Sequence, residues 1–129
     1  MGPDALLARM TLPEKLAQLA CVWCTALVDD TGFSAPRAER VLADGIGEIT
    51  RIGATTGLRP RERAQLANAI QRHLVEHTRL GIPAIMHEES TAGLCARDAT
   101  QFPQAIGLAA TWDPELLEQI GGVIRVRCA

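Results

Sequence analysis

The chain has 129 residues, 47% of them hydrophobic and 22% charged, with a formal net charge of −2 at pH 7. That composition fits one soluble folded unit and excludes an intrinsically disordered chain. No basic stripe or aromatic platform points to nucleic acid, no apolar run reaches the roughly 18 residues of a membrane span, and charges interrupt residues 1–10 where a signal peptide needs an apolar stretch, so the expected location is the cytoplasm.

The first predicted elements are helical. Asp4 caps a short turn over residues 5–10. Thr11-Leu12-Pro13-Glu14 spells a capping box, with Pro13 tolerated in the first turn. The helix is expected to run to residue 19 or 21, with Leu12, Leu16 and Leu19 on one stripe. Residues 22–33 are less regular, and Asp29-Asp30-Thr31-Gly32 is a turn by its chemistry. Ser34 caps a helix with Pro36 in its first turn, closed by Gly45.

Residues 45–52 alternate small or apolar with polar side chains and predict a strand; residues 55–60 predict a loop. A long helix follows over residues 61–79, with Leu66, Ala67, Ile70 and Leu74 on one face. Gly81 ends it. Residues 83–87 form a near-continuous apolar run, as expected of a parallel strand covered on both faces. Loop continues to Thr100, a turn covers residues 101–104, and residues 106–110 are expected to be a short extended piece. Asp113-Pro114-Glu115 then opens a helix with Leu116, Leu117, Ile120 and Val123 as its apolar stripe. The order is helix, helix, strand, helix, strand, short strand, helix. Strand, helix and strand at this spacing imply a right-handed βαβ unit and a parallel sheet.

Four cysteines occur, at 21, 24, 95 and 128. One C-x-x-C without a second pair does not make a zinc ribbon, so no metal site is expected and the thiols are read as reduced. A redox role for Cys21 and Cys24 needs a helix N-terminus after a strand, whereas this pair follows a helix, which favours packing. His73 and His77 stand at i and i+4 but lack the intervening glutamate of a metalloprotease helix, so packing is the favoured reading there too. The glycines at 45, 47 and 53 do not form a dinucleotide fingerprint. Trp112 is expected to pack the last helix onto the sheet.

Four stretches together resemble the N-terminal domain of glycoside hydrolase family 3, the family of many β-glucosidases and β-xylosidases. They are LLARMTLPEKLAQL, LADGIGEITRIGA, ANAIQRHLVEHTRLGIPAIMHEESTAGL and ATQFPQAIGLAATWDPELLEQIGGVI, in the family's order and covering nearly all of residues 5–124. The resemblance implies an α/β fold: an N-terminal fragment of a (β/α)8 TIM-type barrel, with helices preceding parallel strands. Residues 1–129 would hold roughly its first two to three strands. It implies a retaining exo-acting glycosidase acting on terminal β-D-glucosyl or β-D-xylosyl residues, without a cofactor. The aspartate nucleophile and the acid/base glutamate would lie beyond this chain, so the fragment itself is expected to be inactive and to contain no catalytic residue. The closing residues Val126-Arg127-Cys128-Ala129 do not match the family's usual continuation, so a truncated or frame-shifted piece is expected.

The family's Asp/Glu-x-x-x-Gly pattern places its sugar-binding acid on Glu89, four residues before Gly93. The histidine usual just before that glycine is Ala92 here. Glu88 and Glu89 are not a catalytic pair: retaining chemistry needs carboxyls about 5–5.5 Å apart across one bond, and neighbours in an extended segment face opposite ways. Glu89 is therefore read as an acceptor for sugar hydroxyls, against the plainer reading of a solvated strand-end glutamate. His87 shares its parity and either lines the pocket or orients Glu89, or else is a core histidine bonded to backbone. Arg51 and Arg97, near or after strand ends, are candidates for substrate contact, with surface ion pairs as the favoured alternative. The rival to the enzyme reading is a small α/β interaction module that self-associates through exposed sheet edges. The expected partner is a β-linked glycoside or oligosaccharide, with neither nucleic acid nor membrane.

Overall fold

The Thr11–Glu14 capping box forms. Thr11 Oγ1 accepts from the Glu14 amide at 3.3 Å, and Glu14 Oε2 accepts from the Thr11 amide at 2.7 Å. It opens α2 (Leu12–Ala17), which follows α1 (Pro3–Arg9) in a computed structural model that describes residues 2–128. α2 stops earlier than its leucines predict. The amides of Leu19 and Ala20 turn back onto Leu16 and Ala17, and residues Cys21–Trp23 become a strand, β1. Gly47 makes this turn possible: a Cβ there would stand 2.1 Å from the Gln18 carbonyl oxygen.

A 3₁₀ turn (Cys24–Leu27) leads into a hairpin of β2 (Val28–Asp29) and β3 (Gly32–Phe33). The expected Asp turn joins its strands, with Asp29 Oδ1 accepting from the amide and hydroxyl of Thr31 at 2.9 and 2.6 Å. α3 (Ala35–Val41) follows. Ser34 occupies its N-cap position, but its hydroxyl makes no capping hydrogen bond to the helix. Gly45 closes α3 as expected, its amide donating to Leu42 O at 2.9 Å.

β4 (Glu48–Thr50) is shorter than the strand expected over residues 45–52, because Arg51 takes a left-handed backbone (φ 64°) and starts α4 (Ile52–Thr56). Part of the expected loop is thus helical. α5 (Pro60–His77) is the long helix, with Leu66, Ile70, His73 and Leu74 buried. β5 (Ile85–His87) comes next. The extended piece expected over residues 106–110 is instead α6 (Ala105–Ala109), a single short turn with no buried residue. α7 (Pro114–Cys128) starts at the expected cap, the Leu116 amide donating to Asp113 Oδ1 at 3.0 Å.

The sheet has the order β1-β4-β5, all parallel. Register aligns Val22, Ile49 and Met86 on one face, which packs with Leu27, Leu42, Ile70 and Leu74 beneath α3 and α5. This is the α/β arrangement with a parallel βαβ unit that the sequence predicts. Cys21, Trp23, Glu48, Ile85 and His87 line the other face and are exposed. The strand expected to be covered on both sides is therefore covered on one, and Ile85 is 65% exposed. Among the described residues the sheet is open, with β1 and β5 at its edges.

Two packing expectations reverse. Leu12, Leu16 and Leu19 all face outward, while Glu14 is buried on α2 by Arg79 from beyond α5. Trp112 is 91% exposed and does not pack α7 onto the sheet; Ile120 alone of the α7 stripe is buried.

Candidate functional site at the carboxyl end of the sheet

Parallel strands bring their C-terminal ends to one edge, where α/β proteins gather ligand-binding side chains. Here that edge carries Trp23 from β1, Arg51 after β4, and His87, Glu88 and Glu89 at the end of β5. The Arg51 amide donates to His87 O at 3.2 Å, so the two strand ends are tied together. The Arg51 guanidinium pairs with the Glu89 carboxylate and lies 4.7 Å from the centre of the Trp23 ring. Glu89 remains 56% exposed along its side chain, so its carboxylate is reachable from solvent.

The loop beyond fixes where Glu89 stands. Glu89 O accepts from the Cys95 amide at 3.3 Å, and Gly93 donates to Ser90 O at 3.1 Å. Gly93 has φ +102°, and a Cβ on it would stand 2.3 Å from Thr100 O. A side chain is excluded there on both counts, which gives the glycine of the Glu89-to-Gly93 spacing a structural reason.

Glu88 turns the other way. Its Oε1 accepts from the Gly53 amide at 2.5 Å, and its Oε2 is buried without a hydrogen-bond partner. It lines a concavity between α5 and α7 together with Arg63, whose Nε is also buried and unpaired. Glu88 and Glu89 thus serve different neighbourhoods and do not converge on one bond.

His87 is not a core histidine. It stands on the open face, with Nδ1 3.4 Å from Thr50 Oγ1 and Nε2 3.3 Å from Glu48 Oε2 and 3.6 Å from Cys21 Sγ. Sequence reading had not joined these three, although Glu48 and Thr50 are the polar positions of an alternating strand. Arg97 is exposed and forms no ion pair among the described residues. The Cys21–Cys24 pair is split: Cys21 faces solvent, while Cys24 is fully buried and its thiol is pushed up to about 11, by burial first and by the Glu88 charge second. His73 is buried against Phe33, its ring centre 5.1 Å from that of His77. Burial, and then the neighbouring His77, lower its pKa. No third metal-ligating side chain joins that pair among the described residues. Among the described residues no helix is long and apolar enough to cross a membrane.

Residues 11–128 match the family described as glycosyl hydrolase family 3 N terminal domain. The chain belongs to that family. A putative beta-xylosidase of Formosa agariphila is 31% identical over 127 residues, covering 94% of this chain and 16% of its own length. A probable beta-glucosidase C of Aspergillus flavus is 34% identical over 136 residues, covering 95% of this chain and 21% of its own. Beta-glucosidase C of Emericella nidulans is 30% identical over 129 residues, with 93% and 20% covered. The chain therefore spans between 16% and 21% of the length of these curated relatives.

Proposed function

We propose that this family 3 chain supplies the first parallel strands of a (β/α)8 barrel in a retaining glycosidase that releases terminal β-D-glucosyl or β-D-xylosyl residues. Within it, Glu89 accepts hydroxyls of the terminal sugar. The observation that carries this reading is the half-exposed Glu89 carboxylate at the carboxyl end of β5, held by Arg51 from the end of β4. An ionised carboxylate accepts two hydroxyls and fixes a ring for attack. Trp23, His87 and Arg97 lie at or after the same ends and are the further candidates for sugar contact. The 129 residues alone carry out no turnover. Glu88 and Glu89 do not face each other, and retaining chemistry needs an opposed nucleophile and acid/base. No cofactor enters this mechanism.

Saturation-transfer NMR of the chain with glucose and with xylose tests the assignment. Contact signals should appear for the wild type and vanish in Glu89→Gln; equal signals in both would remove Glu89 from the site. Release of nitrophenol from a nitrophenyl β-glucoside or β-xyloside by the purified chain would refute its inactivity.

A second reading has its own observation. Trp23 and Ile85 are 53% and 65% exposed on the open sheet face, and β1 and β5 are free edges among the described residues. Such a surface favours self-association. Sedimentation velocity separates the readings: a monomer across the accessible concentration range removes the self-associating module.

A further inference from the structure

We propose that Cys21, Glu48 and His87 form a site for a divalent transition-metal ion of the zinc type on the open face of the sheet. The register of three strands creates it. Cys21 on β1 is aligned with Glu48 on β4, and Thr50 on β4 is aligned with His87 on β5, so all four side chains share one face. One ligand atom from each of Cys21, Glu48 and His87 lies within 4.8 Å of the other two.

Two of the three ligand–ligand distances match the edges of a tetrahedral site, and the third lies within 4.8 Å. With zinc–sulfur near 2.3 Å and zinc–nitrogen or –oxygen near 2.0–2.1 Å, a tetrahedron has S···N edges of about 3.6 Å and N···O edges of about 3.3 Å. Cys21 Sγ to His87 Nε2 is 3.6 Å, and His87 Nε2 to Glu48 Oε2 is 3.3 Å. The imidazole is also oriented for ligation. Its Nδ1 lies 3.4 Å from Oγ1 of the buried Thr50. A proton on Nδ1, donated to that hydroxyl, leaves the Nε2 lone pair facing the thiol and carboxylate. Metal-bound histidines are commonly held this way. Three protein ligands on an exposed face leave the fourth position to water. The thiolate selects zinc or cobalt over magnesium or calcium. Binding forms the Sγ–metal bond and sends the thiol proton to solvent, so affinity rises with pH. The rival arrangement is plain polar contact, with His87 paired to Glu48 and the Cys21 thiol hydrogen-bonded at His87 Nε2 or Val22 O, and a metal titration separates the two. The site shares His87, but not Glu89, with the sugar-binding edge proposed above, and its test is made on the 129-residue chain without any sugar.

Cobalt(II) is the probe. Added to the reduced, metal-free chain, it should bind at one equivalent and produce a near-ultraviolet thiolate-to-cobalt band, which zinc(II) then abolishes. The band should vanish in Cys21→Ser and persist in the Cys95→Ser/Cys128→Ser double variant. Affinity should fall at least tenfold in His87→Gln and in Glu48→Gln. No band in the wild type, a band retained in Cys21→Ser, or a band lost in the double variant overturns the site. Should Cys21→Ser fail to fold by circular dichroism, the nitrogen-15 resonance of His87 Nε2 in the wild type decides the matter: a shift on adding zinc(II) supports the site, and an unchanged resonance overturns it.

Discussion

Arg79 holds Glu14 in a buried pocket of the protein, although 65 positions separate them in the chain. Its Nε and Nη2 donate to the two carboxylate oxygens at 2.7 and 2.5 Å, and Nη2 also donates to Arg9 O at 2.8 Å. One side chain thus ties the ends of α1 and α5 to the start of α2. These hydrogen bonds, and then the Thr11 amide, bring the Glu14 pKa from 4.5 down to about 2. A carboxyl whose folded pKa is depressed contributes stability that is complete above its unfolded pKa and lost as pH falls toward the folded one. The Tm gap between wild type and Glu14→Gln should therefore be constant above about pH 5 and close between 4.5 and about 2. Asp29 titrates in an overlapping window, from 3.8 to about 2, but is common to both proteins and cancels in the difference. Thermal melts across this range provide the check, and a gap independent of pH would count against the pairing.

Arg51 combines a left-handed backbone with a side chain that pairs with Glu89 and covers Trp23. The two contributions separate by substitution. Arg51→Ala and Arg51→Gly both remove the side chain, but only glycine suits φ 64°. The glycine variant should be the more stable of the two by about 1 kcal/mol in urea unfolding. Both should shift Trp23 fluorescence equally, against a constant background from the exposed Trp112. An alanine variant as stable as the glycine variant would contradict the backbone assignment.

Thiol chemistry should divide the cysteines. Cys21, Cys95 and Cys128 are exposed and should react with Ellman's reagent within the mixing phase; Cys24, buried and with its thiol pushed up to about 11, should react only as the chain unfolds. Counting fast thiols at pH 8 in native buffer and in guanidinium makes the comparison. Four fast thiols in native buffer would mean that the core around Cys24 is open.

What was legible in the sequence follows the range of the forces involved. The Thr11 box, the Asp113 cap and the periodic face of α5 rest on contacts within a few residues, and all three formed. β1 was missed because Cys-Val-Trp carries no pattern of its own and becomes a strand through pairing with β4. The α2 leucines misled because the element that decides which way the helix faces is Arg79, far along the chain. α6 was misread because Ile106 and Leu108 between small residues suit either a strand or a turn of helix. In the site, Glu88 and Glu89 stood out as strand-end carboxylates, and their opposed directions follow from strand parity. The grouping of Cys21, Glu48 and His87 needs the register of three strands at once, which no local pattern encodes.

The middle place of β4 governs how the chain reaches this fold. Neither of its neighbours is adjacent in sequence: β1 precedes it by the hairpin and α3, and β5 follows it by α4 and α5. Each pairing must close a long loop before any ladder bond rewards it. A ribosome-bound chain that has exposed only β1 and β4 has one of the two strand neighbours of β4, and the Gln71 side chain of α5 later fixes the approach to β5 by accepting from the Ala84 amide at 3.0 Å and donating to the Ala84 carbonyl at 2.7 Å. The β4–β5 pairing therefore cannot form before α5 has been synthesised, since α5 lies between the two strands in the chain.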